Sequence, residues 1–138
     1  MADVWITPNA AEKVRQLLDD SLKGLPHGVR VSLPPKWTPK DGTAVTVVSD
    51  GSPVSDRAWT REVVRVTVHS RDIVSARRLM TLIDGILTTP SIRTMGLPIK
   101  PSTGIIAAAD SKVSGFMSSA TYTVSLPRIA MKEVIQHG

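Results

Sequence analysis

Apolar and polar positions alternate most cleanly over residues 61–69, where Val64, Val66 and Val68 fall on one side and Arg61, Arg65, Thr67 and His69 on the other. Successive side chains of an extended chain point to opposite faces, so this pattern predicts a strand with one buried and one wet face. The same period recurs late in the chain: Ala120, Tyr122, Val124 and Leu126 alternate with Ser119, Thr121, Thr123 and Ser125. It recurs early as well, where Val29, Val31 and Leu33 alternate with Arg30 and Ser32 until Pro34-Pro35 ends the run. Residues 43–49 and 104–110 are apolar enough to form two further strands, which makes about five.

Two segments change to the helical period. Over residues 7–23, Val14, Leu17, Leu18 and Leu22 share a face, with Thr7 as the expected N-cap, Pro8 at the first helical position and Gly24 as the stop. Over residues 71–88, Ile73, Ala76, Met80, Ile83 and Leu87 recur at three and four residues, and Leu79, Leu82 and Ile86 widen the stripe. Ser70 is the expected cap here, Asp72 sits in the positive first turn, and Pro90 lies beyond the end. At 1.5 Å per residue such a helix is about 27 Å long, and its Ile73, Met80, Ile83 and Leu87 should pack on Val64, Val66 and Val68.

The resulting order, helix, three strands, helix, two strands, predicts an α+β domain: a mainly antiparallel or mixed sheet of about five strands with both helices packed on one face. The other face should remain polar, lined by Arg61, Arg65, Thr67, His69, Thr121 and Thr123. Residues 1–126 read as this single domain and 127–138 as a C-terminal tail. Pro/Gly-rich stretches at 34–42, 50–60 and 89–103 read as loops.

Composition narrows the class. The 138 residues leave room for one domain, and 41% hydrophobic with 21% charged residues is an ordinary balance for a chain that buries its own core. With five aromatic residues (three Trp, one Tyr, one Phe), that core must be mostly Val, Leu, Ile and Ala. The absence of Cys removes disulfides, thiol nucleophiles and thiolate metal sites, and fits a reducing compartment. Met1-Ala2-Asp3 does not begin a secretory signal, and the longest helical pattern carries Arg71, Asp72, Arg77, Arg78 and Asp84, too polar to span a membrane. A net charge of +5 favours polyanions or acidic protein surfaces as partners. The excess sits in residues 70–138, with eight basic against four acidic residues, whereas residues 1–69 hold nine against eight.

Candidate chemistry is sparse. His69, Ser70 and Asp72 hold the residue types of a hydrolytic triad, but neighbours at a strand-to-helix junction diverge, and Ser70 and Asp72 are better used at the helix start. His27 lies in a Pro-His-Gly turn and His137 near the C-terminal end, neither with a paired ligand at metal spacing. Asp19 and Asp20 are about 100° apart on a helix and cannot form a dyad. No glycine-rich phosphate loop is present. The pattern therefore predicts no enzyme, no cofactor and no metal.

The basic set Arg57, Arg61, Arg65, Arg71, Arg77 and Arg78 could contact phosphates, but Glu62 and Asp72 interrupt it and strand and helix geometry should divide it. A protein interface is the stronger candidate. Trp37 lies in a loop between Lys36 and Lys40, and Trp59 lies between Arg57 and Arg61. Trp and Arg are the residues most enriched at binding hot spots, although each Trp could equally lid the local core. The candidate interface is thus Lys36, Trp37, Lys40, Arg57, Trp59, Arg61, Arg65 and His69.

Three stretches, residues 63–72 (Val-Val-Arg-Val-Thr-Val-His-Ser-Arg-Asp), residues 76–84 (Ala-Arg-Arg-Leu-Met-Thr-Leu-Ile-Asp) and residues 120–126 (Ala-Thr-Tyr-Thr-Val-Ser-Leu), with the chain length and element order, resemble the tail terminator family of long-tailed bacteriophages. The resemblance covers most of residues 7–126. It implies a homo-oligomeric ring, commonly of six subunits, that caps the head-proximal end of the tail tube, stops its polymerisation and presents a surface to the neck. The implied partners are other copies of the chain, the tail tube protein and a neck or head-completion protein, with genomic DNA passing through the ring without specific binding. The implied place is the virion tail, assembled in the host cytoplasm. Neck and head-tail connector proteins share this size and pattern and are the alternative, followed by a nucleic-acid-binding module.

Overall fold

The structure, a computed structural model, describes residues 4–6, 8–51, 59–90, 97–110 and 115–130. Its elements in chain order are β1 (Trp5–Ile6), α1 (Ala10–Ser21), β2 (Val29–Arg30), a 3-10 turn (Pro39–Asp41), β3 (Ala44–Gly51), β4 (Trp59–Ser70), α2 (Ile73–Thr88), β5 (Ile99–Pro101), β6 (Ile106–Asp110), β7 (Gly115–Pro127) and β8 (Ile129–Ala130). Six strands form one mixed sheet in the order β2-β3-β4-β7-β5, with β6 on the same edge of β7 as β5. Among the described residues, only β2 and β3 run parallel; the other pairings of this sheet are antiparallel. The architecture is the expected α+β, with six strands in the sheet rather than about five.

The sheet is organised by β4 and β7, paired without a break from Trp59↔Pro127 to Ser70↔Phe116. This register sets Val64, Val66 and Val68 beside Tyr122, Ala120 and Ser118, and β3 adds Val45 and Val47 on the other side. Onto this face pack Ala76, Met80, Ile83 and Leu87 of α2 and Ala10, Val14 and Leu18 of α1, all in one core cluster. Each large side chain so buried contributes about 1.5–3 kcal/mol, enough to hold both helices on one face. Ile73, by contrast, is 40% exposed at the first position of α2, so it does not join the packing stripe.

Local chemistry sets the element ends, with some departures from expectation. The N-cap of α1 is Asn9, whose side chain accepts from Glu12 N at 3.0 Å; the expected cap, Thr7, lies outside the described residues. A second acceptor comes from the sheet: Glu62 Oε2 takes the Ala11 N–H at 3.3 Å, so this inward-facing carboxylate sits at the positive end of α1. Asp72, not Ser70, caps α2, accepting from Ser75 N at 2.7 Å, a bond that holds its carboxyl below the usual carboxylate range. Ser70 instead ends β4.

The strand expected over 29–33 stops at Arg30. Its pairing with β3 comprises only Val29↔Val45 and Arg30↔Thr46, and Val31 is 59% exposed. What fixes β2 is α1: Arg15 donates to Val29 O at 3.0 Å and Asp19 accepts from Val29 N at 3.0 Å. β5 lies inside the stretch expected to be loop, and Ile129–Ala130, expected in the tail, pair with β1 in a separate two-stranded sheet.

Candidate interface on the open sheet face

With helices on one side, odd-numbered residues of β4 point to the other: Trp59, Arg61, Val63, Arg65, Thr67 and His69. Register places Ser125, Thr123, Thr121, Ser119 and Met117 of β7 beside the last five of these. Thr46 and Val48 of β3 flank Thr67 and Arg65, and Lys100 of β5 lies opposite Thr123. This open face divides into two halves of different character.

The half near the C-terminal end of β4 is covered, although alternation predicted it to be wet. Thr46, Thr67, Ser119 and Thr121 are only 8%, 7%, 3% and 7% exposed. Their hydroxyls are satisfied locally: Thr67 Oγ1 and Ser119 Oγ are 3.1 Å apart, Ser119 donates to Val66 O at 3.0 Å, and Thr103 Oγ1 lies 2.8 Å from Thr121 Oγ1 while accepting Thr121 N–H. Polar groups so paired can be buried without the cost of orphaned donors.

Trp37 closes this corner. It is 6% exposed, its Nε1 donates to Gly42 O at 3.1 Å, and its ring meets His69 edge-on with centroids 6.0 Å apart. Of the two roles open to it, the ring takes that of a lid within the subunit. His69 beneath it has Nε2 3.2 Å from Thr46 Oγ1 and Nδ1 3.6 Å from Asp110 Oδ2. Burial pushes its pKa down, and the nearby Asp110 carboxylate partly opposes that shift.

Asp110, His69 and Thr46 thus follow one another in the order of an acid, base and hydroxyl nucleophile. The Nδ1 to carboxylate distance exceeds a hydrogen bond, however, and Thr46 is only 8% exposed. Open clefts of about 580, 420 and 210 Å³ lie elsewhere, beside β2, at the start of α2 and at its end, and neither His69 nor Thr46 lines them. The cluster packs the sheet corner. His69, Ser70 and Asp72 do not converge either, since Asp72 is engaged with Ser75. No group of three His, Asp or Glu able to hold a metal occurs among the described residues.

The other half is accessible. Trp59 is 48% exposed, and Arg61 and Lys100 are exposed around a floor of half-buried Val63, Thr123 and Ser125. Arg65 is held at the rim, where its Nε and Nη2 donate to Asp50 Oδ2 at 2.9 and 2.8 Å, while its side chain stays 49% exposed.

The predicted interface residues therefore separate. Trp59, Arg61 and Arg65 come together on the open half-face, and His69 lies four residues beyond Arg65, about 13 Å along the strand, in the covered half. Lys36, at positive φ (59°), and Lys40, in the 3-10 turn, are exposed near the Trp37 lid. Arg57 lies outside the described residues. Lys100 was missed because the three residues of β5 carry no readable period, and Asp110 because its partner is distant in sequence. Arg77 and Arg78 belong to α2 and Arg71 to the bend between β4 and α2, so they lie off the sheet-face strands.

No family model matches the chain, and no curated protein matches its sequence. Among the described residues, no helix is long and apolar enough to cross a membrane.

Proposed function

We propose that this protein is a structural component of a phage tail, a tail terminator whose subunits close into a ring at the head-proximal end of the tail tube. The observation that carries the reading is the one-sided sheet. Helices saturate one face, while the other keeps an accessible half bearing Trp59, Arg61 and Arg65, residue types that anchor interfaces. A heterologous contact whose rotation closes yields a ring with no end to propagate, which is the physical basis for stopping a polymer.

The test is electron microscopy of the purified protein alone and added to polymerising tail tubes. Rings, and tubes of limited length capped at one end, are the expected result. Binding to the head vertex without any effect on tube length would assign the neck-connector role instead.

A further inference from the structure

The two ends of the main sheet are edges of opposite kind. At one end β6 reads Ile-Ala-Ala-Ala-Asp, and among the described residues no strand pairs with its outer side. Edge strands are ordinarily blunted by Lys, Pro or a bulge. β6 carries none of these: its register with β7 is unbroken, and Ile106, Ala108 and Ala109 are exposed. At the other end β2 stops at Arg30, although its apolar pattern runs on through Val31 and Leu33, and Val31 is 59% exposed. The open cleft of about 580 Å³ lies along this edge and is lined by Val29, Arg30, Val31 and Ser32. Val29 closes one end of the edge, because its N–H is accepted by Asp19 and its C=O accepts from Arg15; Pro34 closes the other. Residues 30–33 lie between.

Direction, face and charge each fit one edge to the other. β2 runs with β3, and β3, β4, β7 and β6 alternate in direction, so β6 is antiparallel to β2. A copy added edge to edge with its helices on the same side therefore meets the first in an antiparallel pair. Val29, paired with core Val45, marks the helix side of β2; alternation puts Val31 and Leu33 on that side and Arg30 and Ser32 on the open side. On β6, Ala107 and Ala109 lie beside Ser118 and Phe116 on the helix side, and Ala108 and Asp110 beside Met117 and Gly115 on the open side. Setting Arg30 against Asp110 places Val31 against Ala109, Ser32 against Ala108 and Leu33 against Ala107. Apolar then meets apolar on the helix side, opposite charges meet on the open side, and Pro34 ends the run beside Ile106. A slip of one residue turns every pair to the wrong face.

We propose that β6 of one copy adds as a strand to the β2 edge of a second copy, at residues 30–33, and that this contact joins the subunits. The proposal rests on the ring reading, since a contact between two different edges is the heterologous kind that a ring repeats. It leaves the Trp59 half-face to other contacts of the assembly.

The chain has no Cys, so disulfides introduced in pairs report the register without background. Val31→Cys with Ala109→Cys, and Ser32→Cys with Ala108→Cys, are both made, because neighbouring antiparallel pairs alternate between wide and close spacing and one of the two suits a disulfide. All four positions are exposed, and circular dichroism checks that the variants fold. After mild oxidation, non-reducing gels of at least one double variant should show a ladder of covalent multimers ending at a single closed species, while the four single variants give no ladder. Val31→Cys with Val74→Cys joins two equally exposed positions, 59% and 61%, that the proposed contact does not bring together, and should give no ladder either.

A ring in native mass spectrometry of the wild type, with no ladder from either pair, would overturn the edge contact and leave the ring reading standing. A monomer in those spectra, again with no ladder, would overturn both. A ladder from the Val31/Val74 control as strong as from the register pairs would mean random collision and overturn the proposal. So would a covalent dimer as the main product of Ala108→Cys alone, which would assign β6 to a two-fold pairing with itself.

Discussion

At the scale of single residues, the buried polar groups decide what the fold tolerates. His69 lies under Trp37 with a pKa pushed below the imidazole's ordinary value, about 6.5, by burial and partly restored by Asp110. Above that ordinary value the ring is neutral in folded and unfolded chains, and its contribution is fully present. As pH falls below it the unfolded chain takes up the proton first, so stability declines until the lower pKa of the folded site is passed. Urea midpoints measured from pH 8 to pH 5 should fall for the wild type and fall less for His69→Gln; equal slopes would remove His69 from the acid response. Tyr122 is the second case. Its ring is fully buried on β7 and its hydroxyl donates to Asp84 Oδ1 of α2 at 2.6 Å, a bond that, with burial, keeps the phenol protonated. Tyr122→Phe removes this link between helix and sheet and should cost about 1 to 2 kcal/mol in urea unfolding; an unchanged midpoint would make the bond dispensable.

At the scale of elements, close approach matters as much as pattern. A Cβ built on Gly115, the first residue of β7, would stand 2.7 Å from Pro39 Cγ and 2.9 Å from the Ser70 carbonyl oxygen. The Ser70 carbonyl is backbone in the central strand and cannot swing aside. Gly115→Ala should therefore cost about 1 to 3 kcal/mol and disturb the 3-10 turn, read as a lowered melting temperature. Alternation over β4 and the apolar stripe of α2 were legible in advance because each records burial on a single face. The ends were not. Thr7 against Asn9, and Ser70 against Asp72, are chemically equivalent caps two residues apart, and the tertiary position of the first turn chooses between them. The Val29-Val31-Leu33 pattern outruns its pairing because β3 offers β2 only two partners. Glu62 read only as an interruption of the basic set, since its acceptor role depends on α1, fifty-one residues away. The covered half of the open face was hidden for a similar reason: alternation reports which side a residue faces, not whether Trp37 and Thr103 fold over it.

At the scale of the whole molecule, the two tryptophans expected in loops part company, Trp59 opening β4 instead. Trp37 is a lid, so Trp37→Ala should destabilise the subunit by about 3 to 5 kcal/mol. Trp59 is half-exposed on the open half-face, so Trp59→Ala should lower the melting temperature of the subunit less than Trp37→Ala does and weaken assembly by about 1 kcal/mol or more. Sedimentation of each variant beside its thermal melt separates the two roles, and a folded Trp59→Ala subunit that assembles like the wild type would place the interface elsewhere. The ring itself is tested most directly by native mass spectrometry of the purified protein across a concentration series, paired with images of tail tubes grown in its presence. A single closed oligomer, most simply of six subunits, with tubes capped at one end is the predicted result. A monomer at every concentration, with tubes that grow unrestrained, would contradict it.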